Sequence, residues 1–180
     1  MRLDQKVLLV ALVAGRAAAV AAVEVTPLGR LHLDYAHHDS DVTQFNDRGL
    51  VRRAQFGFEG QFGSDWSARA EYDFALSGSF KNVYLRYRGW GPTELTLGQF
   101  KVPFGLEQLT SPNDLTFMER ALPSDAFNLS RRLGVGLQIN GSHYTWAARS
   151  FSSTIEGIGG KGAATRLTFT PIDKHDTLVH

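Results

Sequence analysis

The sequence has 180 residues, enough for one domain of ordinary size or for part of a larger one. Its 19 Lys and Arg residues nearly balance its 18 Asp and Glu residues, which argues against a nucleic-acid-binding protein because such proteins carry a clear basic excess. Cysteine is absent, which excludes disulfides, thiolate zinc sites and cysteine nucleophiles, and a mean hydropathy of −0.18 excludes a polytopic helical membrane protein.

The first 22 residues have the pattern of a secretory signal peptide. Arg2 and Lys6 precede an apolar run at 7–14, and small residues follow at 17–22. We expect cleavage after Ala21 or Ala22, so that residues 23–180 form the mature domain and the protein is exported. An amphipathic helix is the alternative interpretation of this segment.

After residue 27 the hydrophobic residues recur with a period of two, which predicts β-strands. In the segment 50–62, for example, Phe56 and Phe58 fall on one face, whereas Arg53 and Gln55 fall on the other. The same reasoning predicts eight strands, at 29–37, 50–62, 66–76, 82–89, 94–101, 132–140, 144–151 and 163–171, and the start of a ninth at 177–179.

The connections between these predicted strands alternate in length. Short turns occupy 63–65, 90–93 and 141–143, whereas the connections at 38–49, 77–81, 102–131 and 152–162 are longer or more irregular. Short turns at one end and long loops at the other are typical of a transmembrane β-barrel, whose strands alternate between lipid-facing and water-facing side chains. We therefore predict an all-β, antiparallel barrel, with a secreted soluble β-sandwich as the alternative.

One segment carries a resemblance to a known family. Residues 98–107 read GQFKVPFGLE, and FMER at 117–120 and RRLGV at 131–135 follow. This resembles the phosphate-selective porin O and P family of Gram-negative outer membranes. The resemblance implies a trimer of barrels of about sixteen strands each, embedded in outer-membrane lipid and passing small anions through a basic lumen. It also implies that the eight strands form about half of such a barrel; an eight-stranded barrel closed on itself remains the alternative.

The arginines of the polar strand faces are the candidate anion-binding residues. If the aromatic faces meet lipid, alternation directs the following side chains to the lumen: Arg53, Arg69, Arg86, Arg88, Arg149 and Arg166. Guanidinium groups remain charged and form forked hydrogen bonds to phosphate or carboxylate oxygens. Glu59, Glu71 and Asp73 share these faces, so salt bridges that stabilise the barrel wall are the other interpretation.

The connection at 102–131 is the longest, and the resemblance implies that it folds into the pore as its constriction. Four basic residues lie in it or at its ends: Lys101, Arg120, Arg131 and Arg132. The resemblance also implies a lysine near 111–114 in phosphate-specific members, but no lysine lies within 102–131. We predict a passive channel for small anions, with phosphate, polyphosphate or small solutes in general left open, and no enzymatic, metal, cofactor or nucleic-acid site.

Overall fold

A computed structural model describes residues 23–37, 47–75, 78–117, 119–174 and 177–179. The predicted signal peptide lies outside the described residues. The strands are β1 Val23–Ala36, β2 Arg48–Phe62, β3 Trp66–Asp73, β4 Ser79–Trp90, β5 Thr93–Lys101, β6 Arg131–Asn140, β7 Tyr144–Phe151, β8 Gly162–Phe169, β9 Ile172–Lys174 and β10 Thr177–Val179. Within these ranges, no helix is long and apolar enough to span a bilayer.

Strands β1 to β8 form one antiparallel sheet in which each strand pairs with its neighbours in the sequence. This confirms the predicted all-β, antiparallel fold. The sheet is not closed, because no ladder joins β8 to β1 in the described part of the chain, and the arrangement therefore gives no support to an eight-stranded barrel closed on itself. The predicted ninth strand is β10, which pairs with β9 in a separate two-stranded sheet.

The connections alternate in length, as the sequence predicts. Residues 63–65, 91–92 and 141–143 connect strands at one end of the sheet, and the strand ends at the other end are separated in the sequence by the longer intervals 37–47, 74–78, 102–130 and 152–161. Because neighbouring strands are antiparallel, every second connection returns to the same end. This asymmetry is that of outer-membrane barrels, with short periplasmic turns and long extracellular loops.

Burial on the two faces of the sheet is the reverse of that in a soluble protein, because polar side chains are buried and large apolar side chains are exposed. Among the described residues, the buried hydrophobic ones are Tyr84 and Val102, whereas the buried polar ones are Gln55, Ser67, Glu71, Asp73, Thr96, Gln99, Gln108 and Arg149. Large apolar side chains such as Leu31, Phe56 and Leu97 are exposed. A β-sandwich buries its apolar face in a core, so this distribution favours a barrel with apolar side chains toward lipid. We name the side of the sheet that carries Gln55, Thr96 and Arg149 the polar face, and the side that carries Leu31, Phe56 and Leu97 the apolar face.

Aromatic side chains gather on the apolar face at the short-turn end. The ring centroids of Trp66 and Tyr87 lie 4.7 Å apart, and those of Tyr87 and Trp90 lie 5.1 Å apart. Tyr and Trp prefer the boundary between hydrocarbon and water because one end of each ring system is polar. Such a cluster is typical of the ends of the strands in outer-membrane barrels.

Gln99 is the polar exception on the apolar face, where it pairs in register with Val83 and Leu133. Its side-chain amide donates to the carbonyl of Phe80 (2.8 Å), and its oxygen accepts from the backbone nitrogen of Ile155 (2.7 Å). The 152–161 connection thus covers Gln99, which is 1% exposed, and satisfies its hydrogen bonds.

Strand β3 ends at Asp73, earlier than the predicted residue 76. The Asp73 carboxylate accepts hydrogen bonds from the backbone nitrogens of Ala54 and Ala75, both at 3.1 Å. A side chain that binds the backbone in this way replaces ladder hydrogen bonds and begins a turn. Alternation of hydrophobic residues does not contain this information.

Gly98 is expected to be essential for the pairing of β4 with β5. Its φ is +125°, and a Cβ atom placed on it would lie 2.3 Å from the carbonyl oxygen of Val83. Gly98→Ala is therefore expected to lower the free energy of unfolding by about 2 kcal/mol, whereas Gly29→Ala, whose Cβ would meet no atom within 4 Å, changes it by less than about 0.5 kcal/mol. Urea unfolding in lipid vesicles measures both, and equal effects would contradict the steric argument.

Candidate functional site

The long loop, residues 102–130, folds into two short helices and a 3₁₀ turn. Helix α1 is Leu106–Leu109, the turn is Pro112–Asp114, and helix α2 is Leu122–Ala126. The Glu107 carboxylate joins the two halves, since it accepts from the backbone nitrogen of Ala121 (3.0 Å) and from the hydroxyl of Ser124. These two donors lower the pKa of Glu107, so the carboxylate is ionised and the contact is intact at neutral pH.

Two basic side chains bind carbonyls of the long loop, Lys101 from the strand wall and Arg120 from within the loop itself. Lys101 Nζ, at the end of β5, donates to the carbonyl oxygens of Leu109 (2.9 Å) and Thr110 (3.3 Å). Arg120 donates to the carbonyls of Glu107 (3.0 Å) and Thr110 (2.9 Å). The Thr110 carbonyl therefore receives both cations, which brings the charges of the loop and of the strand wall together.

A cavity of about 340 Å³ lies between the long loop and the polar face. Its wall contains seven cationic side chains, namely Arg30, Arg52, Arg53, Lys81, Lys101, Arg120 and Arg131. It contains three carboxylates, namely Asp73, Glu119 and Asp125. The excess of positive charge makes this cavity favourable for an anion. We name it the larger cavity, because a second cavity on the polar face, described below, is smaller.

Four of these cations form its central cluster: Arg30, Lys101, Arg120 and Arg131. Their hydrogen bonds go to neutral acceptors, since Arg131 donates to Asn82 Oδ1 (2.9 Å), Arg30 donates to Gln55 Oε1 (3.4 Å), and the other two donate to loop carbonyls. No carboxylate of the described residues lies within 4 Å of these four groups. None of the four groups is therefore in direct contact with a carboxylate, and their positive charge attracts an incoming anion.

A smaller cavity of about 170 Å³ lies farther along the polar face. Its charged lining residues are Arg86, Glu94, Lys101, Arg149 and Arg166. Lys101 lines both cavities, so its ammonium group lies where they meet. The basic groups that line the two cavities thus follow one another along one side of the sheet.

Arg149 is 3% exposed, and its guanidinium is held by backbone carbonyls and an aromatic ring. It donates to the backbone carbonyls of Phe100 (2.5 Å) and Gly98 (3.3 Å), and its guanidinium lies 3.4 Å from the centre of the Phe100 ring. These contacts fix the end of β5 against β7. Arg149 contributes charge to the smaller cavity while most of its donors are already used.

Other arginines of the polar face are paired with carboxylates. Arg69 lies 3.0 Å from Glu71 and 3.8 Å from Glu59. Arg86 and Arg88 each lie 3.0 Å from Glu94. These ion pairs reduce the positive electrostatic potential at their end of the sheet. They have the geometry expected if these arginines form salt bridges that stabilise the barrel wall.

A comparison with protein families matches residues 25–180 to the phosphate-selective porin O and P family. The chain belongs to this family. It is 30% identical over 126 residues to Porin O of Pseudomonas aeruginosa, which covers 62% of the chain and 28% of that protein. It is also 30% identical over 136 residues to an uncharacterized protein of Caulobacter vibrioides, which covers 72% of the chain and 27% of that protein. The matched part of the chain spans about a quarter of the length of these curated relatives.

Membership of the porin O and P family indicates an outer-membrane porin. The sequence-predicted residues take different places in this porin chain. Arg53, Lys101, Arg120 and Arg131 line the larger cavity; Arg86, Lys101, Arg149 and Arg166 line the smaller one. Arg69 and Arg88 are in ion pairs on the polar face, outside both linings. Arg132 is outside both as well, because its guanidinium lies beside Gly159 of the 152–161 connection.

Three cations of the larger cavity were not among the predicted residues: Arg30, Arg52 and Lys81. Arg30 alternates with the exposed Leu31 and Leu33, so the pattern within β1 could have identified it. Arg52 and Lys81 lie next to irregularities in strand pairing, between His32 and Leu33 of β1 and between Ala70 and Tyr72 of β3. A bulge places consecutive side chains on the same face, which simple alternation does not predict.

Proposed function

We propose that the chain forms part of the wall and constriction of a passive outer-membrane channel for small anions, phosphate among them. The observation that carries the proposal is the central cluster of Arg30, Lys101, Arg120 and Arg131 in the wall of the larger cavity. None of these four groups lies within 4 Å of a carboxylate of the described residues. The driving force is the gradient of the solute itself. The long loop supplies Arg120 and the carbonyls that orient Lys101.

Passage follows from the succession of basic groups along the polar face. An anion that enters the larger cavity meets the central cluster, moves past Lys101 and reaches Arg166 and Arg86 in the smaller cavity. Each site attracts the anion through a few charge-assisted hydrogen bonds, and the next site lies close enough to receive it. Conduction needs sites that bind well enough to admit an ion and weakly enough to release it.

Lys101 supports phosphate as a solute despite the lack of lysine within 102–131. Its ammonium group lies within hydrogen-bonding distance of the Leu109 and Thr110 carbonyls, immediately before residues 111–114. A lysine from the strand wall therefore reaches the region where phosphate-specific relatives are expected to carry one on the loop. Lysine acts on phosphate as a point charge and arginine as a fork, so the two complement each other in one site.

A general small-solute porin is the second candidate function. The pairing of Arg69, Arg86 and Arg88 with carboxylates favours it, because paired charges attract anions less strongly. The measurement that separates the candidates is chloride current with added phosphate. A phosphate-binding channel loses chloride current at low phosphate concentration, whereas a general pore does not.

The location and assembly belong to the same proposal. We infer that residues 1–22 are a cleaved signal peptide, that the protein resides in the outer membrane of a Gram-negative bacterium, and that the full-length protein forms a homotrimer. Membership of the porin family supports the outer membrane, and the basic start and apolar run of the sequence support export. The sign of the reversal potential in planar bilayers tests the anion channel itself, and anion preference is the expected result.

A further inference from the structure

The larger cavity contains one carboxylate that reaches two arginines from the loop side. One oxygen of Glu119, in the long loop, accepts from Arg52 of β2, and the other oxygen lies 3.5 Å from Arg53 Nη2. The same contacts tie this part of the loop to the strand wall. Glu119 therefore bridges two neighbouring guanidinium groups with its two oxygens.

The geometry is that of an oxyanion site filled by the protein itself. A carboxylate and a phosphate both offer at least two oxygens to guanidinium donors, so groups that chelate Glu119 in this manner also suit a phosphate. Arg52 and Arg53 are mostly covered, with 18% and 15% of their side chains exposed, whereas 46% of Glu119 is exposed. The carboxylate can accordingly turn into water while the two arginines remain in the wall.

The arginines keep other partners when Glu119 leaves. Arg52 also donates to the Asp34 carboxylate, and Arg53 Nη1 lies 3.0 Å from Nδ1 of His32. The long loop keeps its attachment to the wall through Lys101, which donates to the Thr110 carbonyl, and Arg120 still donates to the same carbonyl from within the loop. Release of Glu119 thus exposes two positioned guanidinium groups without dismantling the wall or the loop.

We propose that Glu119 competes with permeant oxyanions for binding to the Arg52–Arg53 pair, and so sets the anion affinity of the larger cavity. This inference rests on the proposed anion-channel function. An entering phosphate has to displace the Glu119 carboxylate. This competition lowers the apparent affinity of the cavity for phosphate and shortens the residence time of phosphate there. Glu119 is in this sense a specificity-determining residue that weakens a site otherwise strong enough to retain phosphate.

The test measures the phosphate concentration that blocks half of the chloride current through the full-length protein in planar bilayers. Glu119→Gln keeps the size of the side chain and removes its charge, and is expected to lower the half-blocking concentration about tenfold. Glu59→Gln is the matched control, because Glu59 pairs with Arg69 at 3.8 Å, away from Arg52 and Arg53. We expect the control to change the value less than about twofold.

The pairing itself is tested by combining variants. In a background of Arg52→Gln and Arg53→Gln, the further change Glu119→Gln is expected to have no effect, since the competitor has lost its site. An unchanged or higher half-blocking concentration in Glu119→Gln overturns the proposal, as do equal shifts in Glu119→Gln and Glu59→Gln. Unaltered heat-modifiable gel migration shows that the variants fold. If the wild-type protein prefers cations, the anion-channel function itself fails, and this result is distinct from the others.

Discussion

Replacing Leu85 by arginine is expected to lower the free energy of unfolding by about 2–4 kcal/mol. Leu85 lies in the middle of β4, and its register partners on both sides are Ala68 and Leu97. Val135 continues the same row on β6. If this apolar row faces the hydrocarbon layer, a guanidinium placed there loses its hydration without gaining a partner.

The matched control introduces the same residue on the polar face. Gln138 of β6 pairs in register with Glu94, so an arginine there meets water and a carboxylate. We expect Gln138→Arg to change the free energy of unfolding by less than about 1 kcal/mol. Urea titration in lipid vesicles, followed by tryptophan fluorescence, measures both variants. A neutral Leu85→Arg, or equal losses for the two variants, would show that the apolar face does not contact lipid.

Removing two charges from the central cluster is expected to produce the largest functional effect. Lys101 and Arg131 are register partners at the ends of β5 and β6, and both line the larger cavity. At an effective dielectric constant of about 20, a unit charge about 4 Å from an anion contributes about 4 kcal/mol. The double substitution Lys101→Gln and Arg131→Gln is therefore expected to raise the half-blocking phosphate concentration by at least about tenfold.

An equal change of charge elsewhere on the polar face provides the comparison. Arg86→Gln and Arg88→Gln also remove two positive charges, but both residues share Glu94 as a partner at 3.0 Å. Their loss leaves one unpaired carboxylate and is expected to change the half-blocking concentration less than the first pair does. Equal effects of the two pairs in the bilayer assay would show that net charge, and not the unpaired central cluster, determines anion affinity.

The strands could be predicted from the sequence because the two environments of a barrel wall impose a strict alternation. The predicted segment 50–62 and the observed Arg48–Phe62 differ by two residues at one end, and Phe56 and Gln55 lie on the expected faces. Strand ends that depend on side-chain capping, such as the one at Asp73, could not be predicted. The positions of the short turns were equally accessible, because Gly, Ser and Asp mark them directly, but the turn predicted at 90–93 is shorter in the structure, at 91–92.

The site was only partly predictable, since it depends on contacts between distant parts of the chain. Arg53 and Lys101 follow from alternation and from their place beside the long loop, but the partners of Lys101 are backbone carbonyls of Leu109 and Thr110, which leave no trace in the sequence. The contact of Glu119 with Arg52 joins residues 67 positions apart. Bulges decide which of two adjacent residues faces the cavity, and their positions depend on the pairing of whole strands.

The reversal potential of the full-length protein in a planar bilayer, measured across a potassium chloride gradient, tests the central claim most directly. The excess of cationic over acidic side chains in the larger cavity predicts that chloride carries most of the current, so the potential has the sign of anion preference. With phosphate in place of chloride, the same sign is expected together with a smaller current, because the central cluster retains phosphate longer. A reversal potential with the sign of cation preference would contradict the account.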